Sequence, residues 1–404
     1  MLLRCLAFLV VFSPNALAFD ERAIGDQVLR SLYSSTERVD DPILLSAASR
    51  LLTPIHRASS LRDQRVSLVI LQNPELNAFA APGGVMGLHT GLFTLAQSSD
   101  QVASVVAHEV AHISQRHFSR RMSNNSKIQA AYLAGAIAAI AAGFAGDPTV
   151  GAAALTTTQA AAIDQALEYS REHEREADRV GLQLMSQAGF DTQGMADMFE
   201  VMQAGQRLSG QPLAYLSSHP LSSERVADTR ARVERQISNN AVSPDEFNYW
   251  QQRATGSAAP DTLDQIEQQT AAYSRLRYQR LAAYWLDQGE LTQAQNTLSE
   301  ARLSYPSDYA LNLFQARVYA QAQPHKAFEI LEEVTRTHPF FAQPFLEAKE
   351  LARQLNWQPE FYYYAGWAAQ QTGHSDEAQK HWQQVAKMDS PLSAKAQALL
   401  RPES

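Results

Sequence analysis

Residues 108–112 read His-Glu-Val-Ala-His, and no other stretch of this 404-residue chain constrains its fold as tightly. Two imidazoles four positions apart face the same way on an α-helix, so His108 and His112 require a helix and aim at one point. The neighbouring residues agree. Ser98, Ser99 and Asp100 offer N-cap side chains, and Val102, Val105, Val106, Val110 and Ile113 recur mainly every three or four positions. The spacing is that of zinc-ligating histidines, with Glu109 placed as general base on a metal-activated water.

Zinc needs a third protein ligand if its fourth position is to stay open for water. The candidates lie in the segment 169–181, which carries Glu172, Glu174 and Glu176. At about 100° per residue, Glu174, Ala177, Asp178, Gly181 and Met185 fall in one arc, beside Val180 and Leu184. Glu172 and Glu176 fall opposite, with Glu168, Arg175 and Arg179. A carboxylate on the buried side needs a partner there, whereas one among arginines is solvated surface. Glu174 is therefore the expected third ligand. Asp178, one turn later, is expected to accept a hydrogen bond from the non-ligating nitrogen of a zinc histidine, and Gly181 to let the helix approach its neighbour closely. His89, His117 and His173 receive no metal role: His117 is five residues past His112 and off its face, and His173 points about 100° from Glu174.

Upstream, Val66 to Leu71 and Asn77 to Ala81 read as paired strands joined through Asn73-Pro74-Glu75, with Pro82-Gly83-Gly84 as a turn or bulge. A strand edge beside a metal site would hold an extended peptide by backbone pairing; the plain alternative is a structural hairpin. Met1 to Ala18 combines Arg4, an apolar run from Cys5 to Phe12 and the small-residue end Ala16-Leu17-Ala18, the pattern of a secretory signal peptide. The single cysteine, Cys5, lies inside it, so the mature chain is expected to carry no disulfide. Removing the leader leaves 33 basic residues against 42 acidic, an acidic balance that argues against nucleic acid as a partner.

A second region starts after Arg253 to Thr262, where Ala, Gly, Ser and Pro replace the periodic pattern. Beyond it, Tyr278, Leu281, Ala282, Trp285, Gly289, Ala294, Leu298, Ala301 and Pro306 fit the tetratricopeptide spacing. Ala316, Tyr319, Ala327, Leu331, Val334 and Pro339 form a second copy. Gly366, Gly373, Ala378, Trp382 and Val385 form a third, out of phase, so a degenerate helix around Pro344 to Leu355 intervenes. Such repeats stack into a concave surface that binds a peptide or partner protein. The aromatic run Phe361 to Tyr364 reads as inter-helix packing. The expected division is thus a signal peptide at 1–18, a metal-binding domain at 19–253, a linker at 254–262 and a repeat domain at 263–404. Ala130 to Ala166 is Ala-rich and short for a membrane span; it reads as a helical hairpin or lid over the groove, with membrane insertion or peripheral membrane contact as the alternative.

His108 to His112 followed by Glu174 to Asp178, with Asn77 to Gly84 upstream and Ser218-His219-Pro220 then Glu224-Arg225 downstream, resembles the zinc metallopeptidase family that includes the CAAX prenyl proteases and the bacterial heat-shock membrane protease. The resemblance implies a mainly α fold with a small β-sheet, a gluzincin-like domain followed by an α-solenoid, and one Zn2+ per chain. It also implies that His219 lies near the metal, either stabilising an oxyanion or occupying the open coordination position. Arg225 would anchor the same loop or help bind substrate; the residues leave both open. With a leader in front and repeats behind, the chain is similar to periplasmic members of the family. For those, unfolded or misassembled outer-membrane proteins are the implied substrates and the outer-membrane assembly machinery the implied partner, with chaperone activity alongside. The competing expectation is a non-catalytic periplasmic chaperone or adaptor that uses a zinc-stabilised domain and repeats only to bind.

Overall fold

The computed structural model describes residues 21–35, 38–61, 65–122, 171–209, 213–234, 238–240, 242–256 and 261–401. The expected leader, the stretch Ala130 to Ala166 and part of the expected linker lie outside them. Helix α1 (Glu21–Ser35) precedes α2 (Pro42–Ala58). The start of α2 is set by Asp41, whose carboxylate accepts from the N–H groups of Ile43 and Leu44 at 2.9 and 2.8 Å, with Pro42 in the first turn. Ile43, Leu44, Ala47, Ala48, Leu51, Leu52 and Ile55 are all buried, so α2 is a pillar enclosed on most sides. Each large aliphatic side chain buried this way contributes about 1.5–3 kcal/mol.

Three strands follow: β1 (Ser67–Leu71), β2 (Ala78–Ala81) and β3 (Val85–His89). The sequence pattern pairs the first two, but the sheet order is β1-β3-β2. Strand β3 lies between them, parallel to β1 with Ser67 opposite Val85, and antiparallel to β2 with Ala78 opposite Leu88. The connections explain the difference. Pro82-Gly83-Gly84 is a tight turn with φ of 75° and 76° at its glycines, and it closes a β2–β3 hairpin. The longer segment from Gln72 to Asn77 carries the chain past the position beside β1, which β3 then fills. Leu68, Ile70, Met86 and Leu88 enter the main core, while Val69, Leu71 and Val85 pack with Ile24, Val28 and Leu32 of α1.

Next come α3 (Thr90–Leu95), α4 (Ser99–Ser114), α5 (His117–Met122), α6 (Arg171–Gln187), α7 (Gln193–Ser209), α8 (Ala214–Ser218), α9 (Ser223–Arg232) and α10 (Pro244–Ala254). After the expected linker come α11 (Leu263–Gln269), α12 (Arg275–Asp287), α13 (Leu291–Ser304), α14 (Tyr309–Ala322) and α15 (Pro324–Thr337). The last four are α16 (Gln343–Gln354), α17 (Gln358–Gln371), α18 (Ser375–Ala386) and α19 (Leu392–Leu399). From α12 onward each helix packs on the next, a helical repeat array. The small residues do the expected packing: Ala282, Ala294, Leu298, Ala301, Ala327 and Val334 are buried, and Gly366 backs onto the Trp382 indole. The intervening helix expected near Pro344 is α16. Tyr364, from the aromatic run, meets Phe328 edge-on at 5.3 Å.

A continuous apolar cluster runs from α2, the sheet and α4 into α14 to α17, through Tyr309, Leu313, Leu331, Phe341 and Phe345. Polar bonds lock the same seam. Ser46 donates to Asp308 at 3.2 Å, Gln279 donates to Asp308 at 3.0 Å, and the N–H of Leu68 donates to the Phe340 carbonyl at 2.8 Å. Ser49 lies 2.7 Å from His338 Nδ1, whose Nε2 is 3.0 Å from the Ser307 carbonyl. Among the described residues no helix is long and apolar enough to cross a membrane.

Candidate metal centre

Helix α4 starts where Ser98 caps it, its side chain accepting from the N–H of Gln101, and it buries His108, Glu109 and His112. Helix α6 packs along it, turning Glu174, Ala177, Asp178, Gly181, Leu184 and Met185 inward while Glu172 and Arg179 stay exposed. The helical wheel therefore holds for these positions. A Cβ on Gly181 would stand 3.4 Å from the backbone nitrogen of His108, so the missing side chain sets how near the helices come.

The ring nitrogens His108 Nε2 and His112 Nε2 are 2.9 Å apart. Glu174 Oε1 is 3.3 Å from His112 Nε2, and Glu174 Oε2 is 3.6 Å from His108 Nε2. His219 joins them, its Nδ1 3.3 Å from His108 Nε2 and 3.1 Å from Glu174 Oε1. The four residues are buried and their donor atoms all lie within 4.8 Å of one another. Zinc–nitrogen bonds of about 2.0–2.1 Å in a tetrahedron place ligand atoms about 3.4 Å apart, so three imidazoles and a carboxylate at these spacings fit the ion. Among the described residues His89, His117 and His173 stand outside that group.

The surrounding charges hold this arrangement. His108 Nδ1 is 3.0 Å from Asp178 Oδ1, the contact anticipated for Asp178. Arg225 grips Asp178 with two bonds of 2.7 Å, donates to the Pro220 carbonyl at 2.8 Å and lies 2.6 Å from Glu174 Oε2. Of the two roles left open for it, the geometry is that of an anchor for the His-Pro loop. Burial disfavours charge on Asp178 and on Glu174. The Arg225 bonds outweigh it at Asp178, and His219, His108 and His112 outweigh it at Glu174, so both carboxyls are held below their ordinary range. Burial likewise favours a neutral His108, but bonds to Asp178 and Glu174 prevail and push it up to about 9. Burial keeps His112 well below its usual value, ready to offer a lone pair.

Three contributors escaped the sequence reading. Tyr215, on the short helix α8, donates to Glu109 Oε1 at 3.1 Å and stacks on His219 with ring centres 4.5 Å apart. Burial pushes its hydroxyl well above the ordinary tyrosine value, so it remains a donor. Glu109 Oε2 is buried with no hydrogen-bond partner among the described residues. His117, off the face of a straight helix, comes back within 2.9 Å of His112 Nδ1, because α4 stops at Ser114 and Arg116 turns the chain with φ of 52°. Glu176, assigned to solvated surface, instead meets His117 Nε2 at 3.1 Å and Arg120 at 2.9 Å. A tyrosine four positions before His219 is a signal that a helical reading of 214–218 would have caught. Nothing local marks the turn at Arg116.

A helix pair thus brings two histidines and a glutamate to one buried point, a set that could hold a metal ion. Residues 46–233 match the model of peptidase family M48, a family of metallopeptidases that use zinc. The chain is 32% identical over 292 residues to the beta-barrel assembly-enhancing protease of Escherichia coli strain K12, covering 70% of this chain and 58% of that protein. It is 33% identical over 220 residues to a putative beta-barrel assembly-enhancing protease of Vibrio cholerae, covering 54% and 45%. It is 30% identical over 220 residues to the mitochondrial metalloendopeptidase OMA1 of Schizosaccharomyces pombe, covering 53% and 59%. The chain thus spans somewhat over half the length of the first of these curated relatives.

Proposed function

We propose that this protein is a periplasmic zinc metalloendopeptidase that degrades misassembled outer-membrane proteins and assists their assembly. The convergence of His108, His112 and Glu174 beside the Glu109 carboxylate carries the reading. Zinc, when bound, polarises the scissile carbonyl and lowers the pKa of a water. Glu109 takes the proton of the attacking water through Oε2 and returns it to the leaving amine, while Tyr215 orients its other oxygen. Asp178 and Arg225 orient His108 and the His219 loop. Ala80, Ala81 and Pro82 line a cleft together with His112 and Phe118, so an extended chain laid along β2 reaches the centre by backbone pairing.

The periplasm, the outer-membrane substrates and the assembly machinery rest on the leader pattern and on the relatives' names. In this reading residues 1–18 are the leader, 19–253 the peptidase domain, 254–262 a linker and 263–404 tetratricopeptide-like repeats that present substrate or dock the machinery. His219, as a fourth donor, restrains basal cleavage together with the segment 130–166. The test is cleavage of an unfolded barrel protein with zinc quantified in each sample. Glu109→Gln should retain about one zinc per chain and lose about 100- to 10,000-fold in rate. His219→Ala should cleave faster than the parent. Undiminished cleavage by Glu109→Gln would remove Glu109 as the base, and no cleavage by a zinc-loaded parent would turn the reading toward a zinc-stabilised chaperone.

A further inference from the structure

The two histidines of the centre are supported differently. His108 Nδ1 meets a carboxylate directly, at Asp178. His112 Nδ1 meets another imidazole, His117 Nδ1, at 2.9 Å, and the far nitrogen of that ring lies 3.1 Å from Glu176 Oε2. Between two imidazole nitrogens at this distance one carries a hydrogen and the other accepts it. An ionised carboxylate only accepts, so a neutral His117 places its hydrogen on Nε2 toward Glu176 and leaves Nδ1 bare. His112 must then carry its hydrogen on Nδ1, which leaves a lone pair on Nε2, the atom turned toward His108 and Glu174. Reversing the order would set a bare His117 nitrogen against a carboxylate.

The surroundings are built to keep that order. His117 is fully buried and stacked face to face on His173, with ring centres 4.5 Å apart and planes 12° from parallel. Arg120 holds Glu176 from the solvent side at 2.9 Å. We propose that His117 and Glu176 are a positioning relay that fixes the tautomer and ring orientation of His112, so that its Nε2 faces the metal. They touch neither substrate nor metal. The relay gives the second histidine, through an intervening ring, what Asp178 gives the first.

The inference rests on the centre being a zinc site, and one experiment on the full chain separates the two. Zinc dissociation constants are measured by competition with a chromophoric chelator for the parent, His117→Ala, His117→Asn and Glu176→Ala, alongside absorption spectra of the cobalt-substituted proteins. His117→Ala should weaken zinc by about 10- to 100-fold and alter the cobalt spectrum, since the His112 ring loses its restraint. His117→Asn, whose amide oxygen can accept from His112 Nδ1, should recover part of that loss. Glu176→Ala, which removes a group at the edge of the surface and tests the relay even if the buried substitutions impair folding, should weaken zinc by a smaller factor with the same spectral change. Parent-like affinity and spectrum in folded Glu176→Ala and His117→Ala would overturn the relay and leave the zinc site standing. A parent that binds no zinc would overturn both.

Discussion

Helix α2 separates two buried polar clusters that obey different rules. On one side, packed against α4 and α6, lie the histidines and carboxylates of the candidate metal centre; on the other, against α10 and α14, lies the seam with the repeats. In the seam Ser46 and Gln279 donate to Asp308, and the His338 ring bridges Ser49 at Nδ1 and the Ser307 carbonyl, an acceptor, at Nε2. Such groups exchange water for protein at a net gain of only about 0.5–1.5 kcal/mol per bond. In the centre, His108, His112, His219 and Glu174 turn ligand atoms toward one another within 4.8 Å, a set that could hold a cation. A polar cluster whose bonds run from one element to another fastens two regions together, whereas one that converges on a point is a candidate site.

That contrast can be broken most strongly at Arg225. Arg225→Ala would strip Asp178 and Glu174 of a buried cation and should lower stability by about 3–5 kcal/mol, because two charges are left uncompensated. Chemical denaturation of the zinc-free protein measures it, and chelator competition should report weaker zinc as Asp178 loosens. A loss below about 1 kcal/mol would mean that the centre is no more strained by burial than the seam.

Asp308→Ala tests the other side. It leaves Ser46 and Gln279 short of an acceptor and removes the cap from α14, whose Leu311 N–H bonds Asp308 at 3.0 Å. The expected cost is about 1–3 kcal/mol, with zinc affinity unchanged. A zinc affinity that followed Asp308 would erase the distinction between the clusters.

The smallest effect is in pH. Burial, opposed by the Ser307 bond and Asp308, holds His338 below its ordinary value. Above the unfolded value of about 6.5 both states are neutral and stability is full; below it the unfolded chain takes the proton first, so stability falls until the folded value is reached. The slope is at most about 1.4 kcal/mol per pH unit for this group. Denaturation of the zinc-free protein between neutral pH and pH 5 should show a flatter profile for His338→Gln than for the parent. Parallel profiles would remove His338 from the seam's acid sensitivity.

The centre was half legible beforehand, and the division follows the range of the forces involved. His108, His112, Glu174 and Asp178 could be placed because each pair shares one helix, where spacing alone orders side chains around the axis. Burial of Ala294, Leu298 and Val334 in the repeats followed the same logic. The sheet did not: alternation predicts which residues are buried, and Val69 and Ile70 do face opposite cores, but it carries no information about which strand lies beside which. Tyr215 and His117 were hidden because they reach the centre from other elements, and Glu176, on the outer face of α6, because its partner His117 arrives only through the turn at Arg116.

The periodicity of the chain was enough to say that two helices would carry a metal-binding face and that a repeat array would follow, since local geometry repeats every 3.6 residues whatever surrounds it. Long-range packing chose the rest: β3 between β1 and β2, the left-handed turn at Arg116 that returns His117 to His112, and the fusion of the repeats onto α2. Those choices depend on contacts between residues far apart in the chain, and a backbone that must close around a buried centre accepts local conformations that no local preference would select.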